Sequence, residues 1–285
     1  MPVSDYEKIM RQARSMHVFQ VALGGGNPNQ HPGFCEILEL TRGRYGIVPS
    51  YTTNGRGLTD EVLRASRDYC GAVAVSAYSP YEEMSYAIAA LSSYGIRTNV
   101  HFVLESKSIK TAIKWLENPP SFLGMVNAIV FLNYKPIGRC NDQRLLVKHS
   151  EQVGRFFKTA TGQRRKFKVG FDSCLVSGLV RFTSVPAIYY DGCDAGRFSM
   201  FISEDMKMYP CSFMTVDYEG TPVEEDNILE VWRTGELFTQ MRGKLAEGRC
   251  QGCKHANLCL GGCPVFEEIN LCPEKEKHSS SERRS

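Results

Sequence analysis

The chain has 285 residues, with 34 Lys and Arg against 31 Asp and Glu and a net charge of +3, too small to predict a nucleic-acid or anionic-membrane surface. Its length allows one large domain or a medium one with a small companion, and two units are expected. The start, MPVSDYEKIM, is polar where a secretory signal needs an apolar stretch, and no later segment nears the ~18 uninterrupted apolar residues of a membrane span; a cytoplasmic protein is expected, with neither nucleic acid nor membrane as partner.

In chain order, DYEKIMRQARSM places Tyr6, Ile9, Met10, Ala13 and Met16 at helical spacing, and HVFQVAL then reads as a short buried strand ending in glycines. RYGIVPSYTTNG predicts a strand and turn. LTDEVLRASRDYC predicts a helix capped by Thr59, with Asp60 and Glu61 in its first turn. GAVAVSAY is the next strand. SPYEEMSYAIAALSSYG predicts a helix with Ser79 and Glu82 as a capping box, Pro80 in first position and Gly95 at its end.

IRTNVHFVL predicts a further strand, SIKTAIKWLEN a helix stopped by Pro119 and Pro120, and VNAIVFLNYKP another strand. EQVGRFFKTATG and KFKVGFDSC add one more helix and strand. Strands alternating with helices imply parallel pairing through right-handed crossovers. Near Val185 the texture changes to short strands, RFSMFISED and MKMYPCSF, a helical NILEVWRTGELFTQMRGKL and a cysteine-rich end. The tail, PEKEKHSSSERRS, is expected to be disordered.

Eleven cysteines are many for a reducing compartment, where structural disulfides are disfavoured, so they ask for a metal. Cys35, Cys70, Cys140 and Cys174 are scattered and read as small buried hydrophobes. Cys193, Cys211, Cys250, Cys253, Cys259, Cys263 and Cys272 crowd the last third, four of them in CQGCKHANLCLGGC. Such spacing serves zinc and iron–sulfur sites alike. Seven thiols are three too many for one zinc ion and one short of two all-cysteine sites, so zinc in two sites would need His255 or another residue. Two iron–sulfur clusters would tolerate one iron without a protein ligand.

The run from Cys193 through Cys211 and CQGCKHANLCLGGC to Cys272, preceded by VWRTGELFTQMRGKLAEGRC, closely resembles the seven-cysteine SPASM domain of radical S-adenosylmethionine enzymes that modify peptides and proteins. One departure is Met206, where that family has glycine five residues before the second cysteine; it should alter a turn and not a ligand. The resemblance implies one 4Fe-4S cluster on Cys250, Cys253, Cys259 and Cys272 and a second on Cys193, Cys211 and Cys263, the latter with no obvious fourth ligand. Cys174 is the best placed spare thiol, but a buried structural role is expected of it.

LGGGNPNQHP, TTNG with Leu58, AVSAY with Ser76, NVHFVL with Asn99, and NYKPIGR resemble, in order, the strand-end segments of the radical S-adenosylmethionine core. The resemblance places Gly25 and Gly26 on the glycines, Asn27 on the acid and Pro28 on the proline of that family's cofactor-binding motif, with Ser76 and Asn99 as further S-adenosylmethionine contacts. Asn27 would accept from the cofactor's amine through its carbonyl. Tyr78, Tyr81 and Tyr134 near strand ends are expected to be packing residues.

The fold expected is α/β: a partial (β/α) barrel of the radical S-adenosylmethionine type over 1–139, missing its first strand, a last helix and strand over 140–186, an α+β SPASM domain over 187–273, and a tail from 274. The family's CxxxCxxC triplet, whose cluster cleaves the cofactor to a hydrogen-abstracting 5′-deoxyadenosyl radical, does not occur in this sequence. A truncated chain or a misplaced start is therefore expected, and the chain as written should not cleave the cofactor. A peptide or protein substrate and a flavodoxin or ferredoxin reductant are implied. The alternatives are a non-catalytic iron–sulfur electron-transfer or binding protein and a zinc-stapled structural protein.

Overall fold

The computed structural model describes residues 1–138, 141–162, 164–247, 250 and 253–272; the expected tail lies outside them. The first helix, α1 (Val3–Ser15), buries Tyr6, Ile9, Met10, Gln12 and Ala13 on the stripe that the sequence spacing predicts. Among the described residues, six strands follow in one parallel sheet whose order is the order of the sequence: β1 (Gln20–Leu23), β2 (Val48–Thr53), β3 (Ala72–Ser76), β4 (Thr98–Leu104), β5 (Ala128–Asn133) and β6 (Lys168–Phe171). The crossovers carry α2 (Phe34–Glu39), α3 (Asp60–Tyr69), α4 (Glu82–Ser93), α5 (Ile109–Glu117) and α6 (Glu151–Gly162), and α7 (Val176–Phe182) follows β6.

Period-two alternation divides the sheet into two faces. Tyr51, Val73, Val75, Val100, Phe102, Ile129 and Phe131 point into the main core, where Leu63, Ile88, Leu91, Ile113 and Phe156 of the helices meet them. Ser50, Thr52, Ser76, Asn99, His101 and Val103 line the opposite face and are only half buried. A sheet covered by helices on one side and open on the other is a partial barrel with a polar trough.

Two local expectations within the barrel are corrected. Read as buried, β1 is the edge of the sheet: Gln20 and Ala22 are exposed, and Phe19 just before it is 80% exposed. The helix assigned to start after Ser79 begins at Glu82, because Tyr81 takes a left-handed φ of 76° and its ring packs edge-on against Trp115 at 4.8 Å. That turn displaces the capping box. By contrast, Thr59 does cap α3, its hydroxyl accepting from the Val62 N–H at 3.3 Å.

Beyond residue 185 lies a small antiparallel sheet of β7 (Phe201–Ile202), β8 (Lys207–Tyr209) and β9 (Thr221–Pro222), then α8 (Ile228–Thr234), α9 (Glu236–Ala246) and the short α10 (Ala256–Cys259). The single helix read over 227–245 is two helices, broken at Gly235, where a Cβ would sit 2.5 Å from the Val231 carbonyl oxygen. Arg242 of α9 closes the break by donating to the carbonyls of Trp232 and Arg233 at 2.9 and 2.7 Å. Met206, where the resembling family has glycine, holds φ 59° in the β7–β8 turn, so the turn keeps its left-handed residue with a side chain added.

This cysteine-rich part packs back on the start of the chain. Tyr6, Ile9, Met10 and Ala13 of α1 share a core with Met208, Ile228, Val231 and Phe238. Gln12, 5% exposed, accepts from the Ile228 N–H at 3.0 Å and donates to the Glu224 carbonyl at 2.8 Å. It thus satisfies an open donor at the start of α8 from across the molecule. Gln12→Ala leaves both backbone groups without a partner and should lower unfolding stability in urea by about 1–3 kcal/mol; a change below about 0.5 kcal/mol would show that the clasp carries no weight.

Candidate functional site

The C-terminal ends of the sheet strands bring two sets of residues together. At the β1 end, Gly25 and Gly26 hold φ of 86° and 57°, and a Cβ on either would meet nothing within 4 Å. Conformation and not crowding demands glycine there, which leaves the backbone open to a close ligand. Asn27 clasps the neighbouring loop: its carbonyl oxygen accepts from the Thr53 hydroxyl at 2.9 Å and the Asn54 N–H at 3.0 Å, while its amide donates to the Arg56 carbonyl at 2.7 Å. The oxygen expected to receive a ligand amine therefore already accepts two hydrogen bonds. Pro28 opens a 3-10 turn, Pro28–Gln30, directly after it.

Ser76 ends β3 and stands in register with His101, whereas Asn99 pairs with Ala74 one step nearer the strand starts and accepts from the Asn127 amide at 2.9 Å. His101 was not singled out by the sequence reading. Its signal was the spacing Asn99-x-His101, which puts both on one face of a strand. The ring nitrogen Nδ1 lies 3.3 Å from the Thr52 hydroxyl, and burial pulls the imidazole below its ordinary pKa.

The second set gathers at the β5 and β6 ends. Lys135 is buried and donates to the Asp172 carboxylate at 2.8 Å and to the Asn133 carbonyl at 2.9 Å. Its ammonium also stands 4.8 Å from the centre of the Phe213 ring. Burial disfavours the charge, but Asp172 and the thiols of Cys174 and Cys263 outweigh it, so the Lys135 pKa is raised. The Asn133 amide reaches the carbonyls of Ile269 at 3.1 Å and Cys174 at 3.4 Å, fastening the C-terminal loop to the strand end.

Over this base lie the thiols of Cys193, Cys211 and Cys263. Each accepts from the backbone shortly after it: Cys193 from Ala195, Cys211 from Phe213, and Cys263 from Val265 and from Phe266 at 3.3 Å. Burial raises Cys211 and pushes Cys193 up to about 12, whereas a hydrogen bond from the Cys174 thiol holds Cys263 below the ordinary thiol range. N–H groups aimed at sulfur, with a buried cation nearby, stabilise thiolates as ligands. Among the described residues, no three His, Cys, Asp or Glu side chains close on a single point as one metal ion requires.

Cys250, Cys253, Cys259 and Cys272 lie in and after the CQGC loop; Cys259 is buried and the others are half buried. A cavity of about 170 Å3 opens beside Cys250, between Leu245, Asn257 and Leu260. Gly262 is fixed by its neighbour, since a Cβ there would overlap Asn270 Oδ1, which accepts from the Cys263 N–H at 2.7 Å. Cys35 and Cys70 pack against the main core but are half buried, not buried as the sequence predicts. Tyr81 and Tyr134 pack as expected, while Tyr78 is 63% exposed.

No family model matches the chain. Two curated relatives are the mycofactocin maturases MftC of Mycobacterium ulcerans, 24% identical over 274 residues that span 90% of this chain and 73% of the relative, and of Mycolicibacterium smegmatis, 24% identical over 271 residues, 90% and 68%. In solved structures, Streptococcus suis SuiB bound to S-adenosylmethionine superposes with a TM-score of 0.72 over 95% of this chain and 69% of that one, at 18% identity. The anSMEcpe enzyme with bound AdoMet gives 0.68 over 99% and 83%, at 17% identity. These likenesses support the resemblance to the radical S-adenosylmethionine family, and the partial barrel is their fold. No helix among the described residues is long and apolar enough to cross a membrane.

Two outcomes follow from this geometry. Gly262→Ala, which adds the Asn270 overlap to a residue at φ 79°, should cost about 2 kcal/mol or more and lower metal uptake by the purified protein; full uptake with unchanged thermal stability would contradict the role given to Asn270. His101 is neutral when folded and its pKa is lowered, so its contribution is complete above the ordinary imidazole value of about 6.5 and is lost as pH falls below it. The urea midpoint should drop less between pH 7 and pH 5 in His101→Gln than in the parent; parallel curves would refute this.

Proposed function

We propose that this protein is a radical S-adenosylmethionine and SPASM-type oxidoreductase that modifies a peptide or protein, and that its seven C-terminal cysteines hold two auxiliary 4Fe-4S clusters. The observation that carries this reading is that the thiols of Cys193, Cys211 and Cys263 each accept backbone N–H bonds, with the buried Lys135 cation at the β5 end acting on Cys211 and Cys263. Support for a peptide substrate comes from relatives named as maturases and from neighbours solved with the precursor peptide SuiA and with the Cp18Cys peptide. In this reading residues 1–139 are the barrel core, 140–186 its last helix and strand, and 187–273 the SPASM domain of a cytoplasmic protein reduced by a flavodoxin or ferredoxin.

A 4Fe-4S cluster supplies one-electron transfer when bound. The chain supplies the rest: Cys250, Cys253, Cys259 and Cys272 hold one set of irons and Cys193, Cys211 and Cys263 the other, Lys135 offsets the negative charge of its neighbouring thiolates, and the half-buried sheet face leaves room for cofactor and substrate. Gly25, Gly26, Pro28, Ser76 and Asn99 line the cofactor's side of that face, and Asn27 shapes it by holding the β2 loop.

A second reading, an iron–sulfur electron-transfer or binding protein, is favoured by one observation: the Asn27 carbonyl already accepts two hydrogen bonds. Protein purified without oxygen and reconstituted should be brown, with about eight iron and eight sulfide per chain, and Cys253→Ser should lose about half of each. A colourless, zinc-loaded protein would overturn the cluster assignment. Calorimetry with S-adenosylmethionine separates the two readings: binding supports the first, and no heat in the iron-loaded protein supports the second.

A further inference from the structure

The half-buried face of the sheet carries an imidazole at its centre. His101 stands on β4 in register with Ser76 of β3 and Val130 of β5, and Gly170 of β6 continues the row. Its backbone is fixed as strand, with its carbonyl accepting from the Ala77 N–H at 2.8 Å. The side chain reaches over β3, where Ala74 offers only a methyl group, and Nδ1 meets the Thr52 hydroxyl of β2 at 3.3 Å. That contact engages one ring nitrogen. Among the described residues Nε2 has no hydrogen-bond partner, and neither has the Ser76 hydroxyl beside it.

We propose that His101 is the proton-accepting residue of this face, taking a proton at Nε2 from an O–H or N–H group of the substrate held there. The inference rests on the peptide-modifying reading above, which supplies that substrate. With Nδ1–H donating to Thr52, the lone pair stands on Nε2, and a neutral imidazole fixed at one nitrogen and free at the other is suited to general-base work. In the step an N–H bond forms at Nε2, the substrate's O–H or N–H bond breaks, and its electron pair stays on the heteroatom. The proton then leaves to solvent from the half-exposed ring. The surroundings suit a base that must be neutral before it acts. Thr52, Ser76, Val130 and Gly170 carry no charge, Lys168 lies at the start of β6 opposite Ala128, and Asp172 beyond the other end of β6 is occupied by Lys135. Burial is the one influence on the ring, and it favours the neutral form. Valine and glycine on one side of His101 and serine on the other leave room for a substrate group above the strand.

The test treats the reconstituted protein at pH 7 with diethyl pyrocarbonate, which acylates a neutral imidazole through its free lone pair, and locates the adducts by peptide mass spectrometry. The reaction is run with and without saturating S-adenosylmethionine. His31 is the internal control, because both its ring nitrogens are engaged, by the Gly33 N–H at 3.0 Å and the Met1 carbonyl at 3.1 Å. The proposal expects His101 to react at least about ten-fold faster than His31. A nitrogen that faces the substrate stays open when the cofactor binds, so that rate should persist with S-adenosylmethionine present. For the same reason His101→Gln should bind S-adenosylmethionine in calorimetry within about three-fold of the parent. A smaller lead over His31, protection by S-adenosylmethionine, or a larger loss of cofactor affinity in His101→Gln would overturn the proposal and leave the reading above in place. A parent that reacts at His101 but gives no heat with S-adenosylmethionine would instead overturn that reading, and the substrate assigned to His101 with it.

Discussion

The buried pair of Lys135 and Asp172 at the ends of β5 and β6 is the joint on which the site depends. Neither charge is tolerable alone in that position; removing one partner of such a pair commonly costs about 3–5 kcal/mol. Together they fix the strand ends, because Asp172 also accepts from the Asn133 N–H at 3.1 Å and Asn133 holds the loop at Ile269. They also place one cation among three thiols. The same interaction thus closes the barrel end, docks the cysteine-rich module and sets the electrostatics of its sulfurs.

Docking is reinforced where charge plays no part. Leu271 joins the main core beside Phe157 and Leu179, and its N–H donates to the buried Ser177 hydroxyl at 3.0 Å. At the other end of the molecule α1 shares its apolar stripe with α8 and β8. The module is therefore seated on the barrel at two places far apart in sequence, and the thiols between them inherit the rigidity of both.

Much of the architecture was legible because its signals are local. The stripe of Tyr6, Ile9, Met10 and Ala13, the Thr59 cap and the strand–helix alternation each depend on residues within a few positions of one another. What escaped depends on distance along the chain. Lys135 and Asp172 are ordinary surface types until folding buries them together, Gln12 meets Ile228 from the opposite end of the sequence, and Cys174 looks like a spare core thiol until β6 delivers it to Cys263. The displaced start of α4 shows a local signal overruled by packing, since Tyr81 turns left-handed to lay its ring on Trp115. Asn27 was found by its place in a motif, but its partners could be seen only once the β1 and β2 loops were side by side.

The central claim is that thiols of the C-terminal module, seated on the barrel end, surround iron–sulfur clusters. The direct measurement is an anomalous difference map at the iron absorption edge from crystals grown without oxygen. The account predicts two compact iron peaks, one bounded by Cys193, Cys211 and Cys263 above Lys135 and one bounded by Cys250, Cys253, Cys259 and Cys272. Single peaks at the zinc edge in those positions, or no anomalous density beside the thiols, would contradict it.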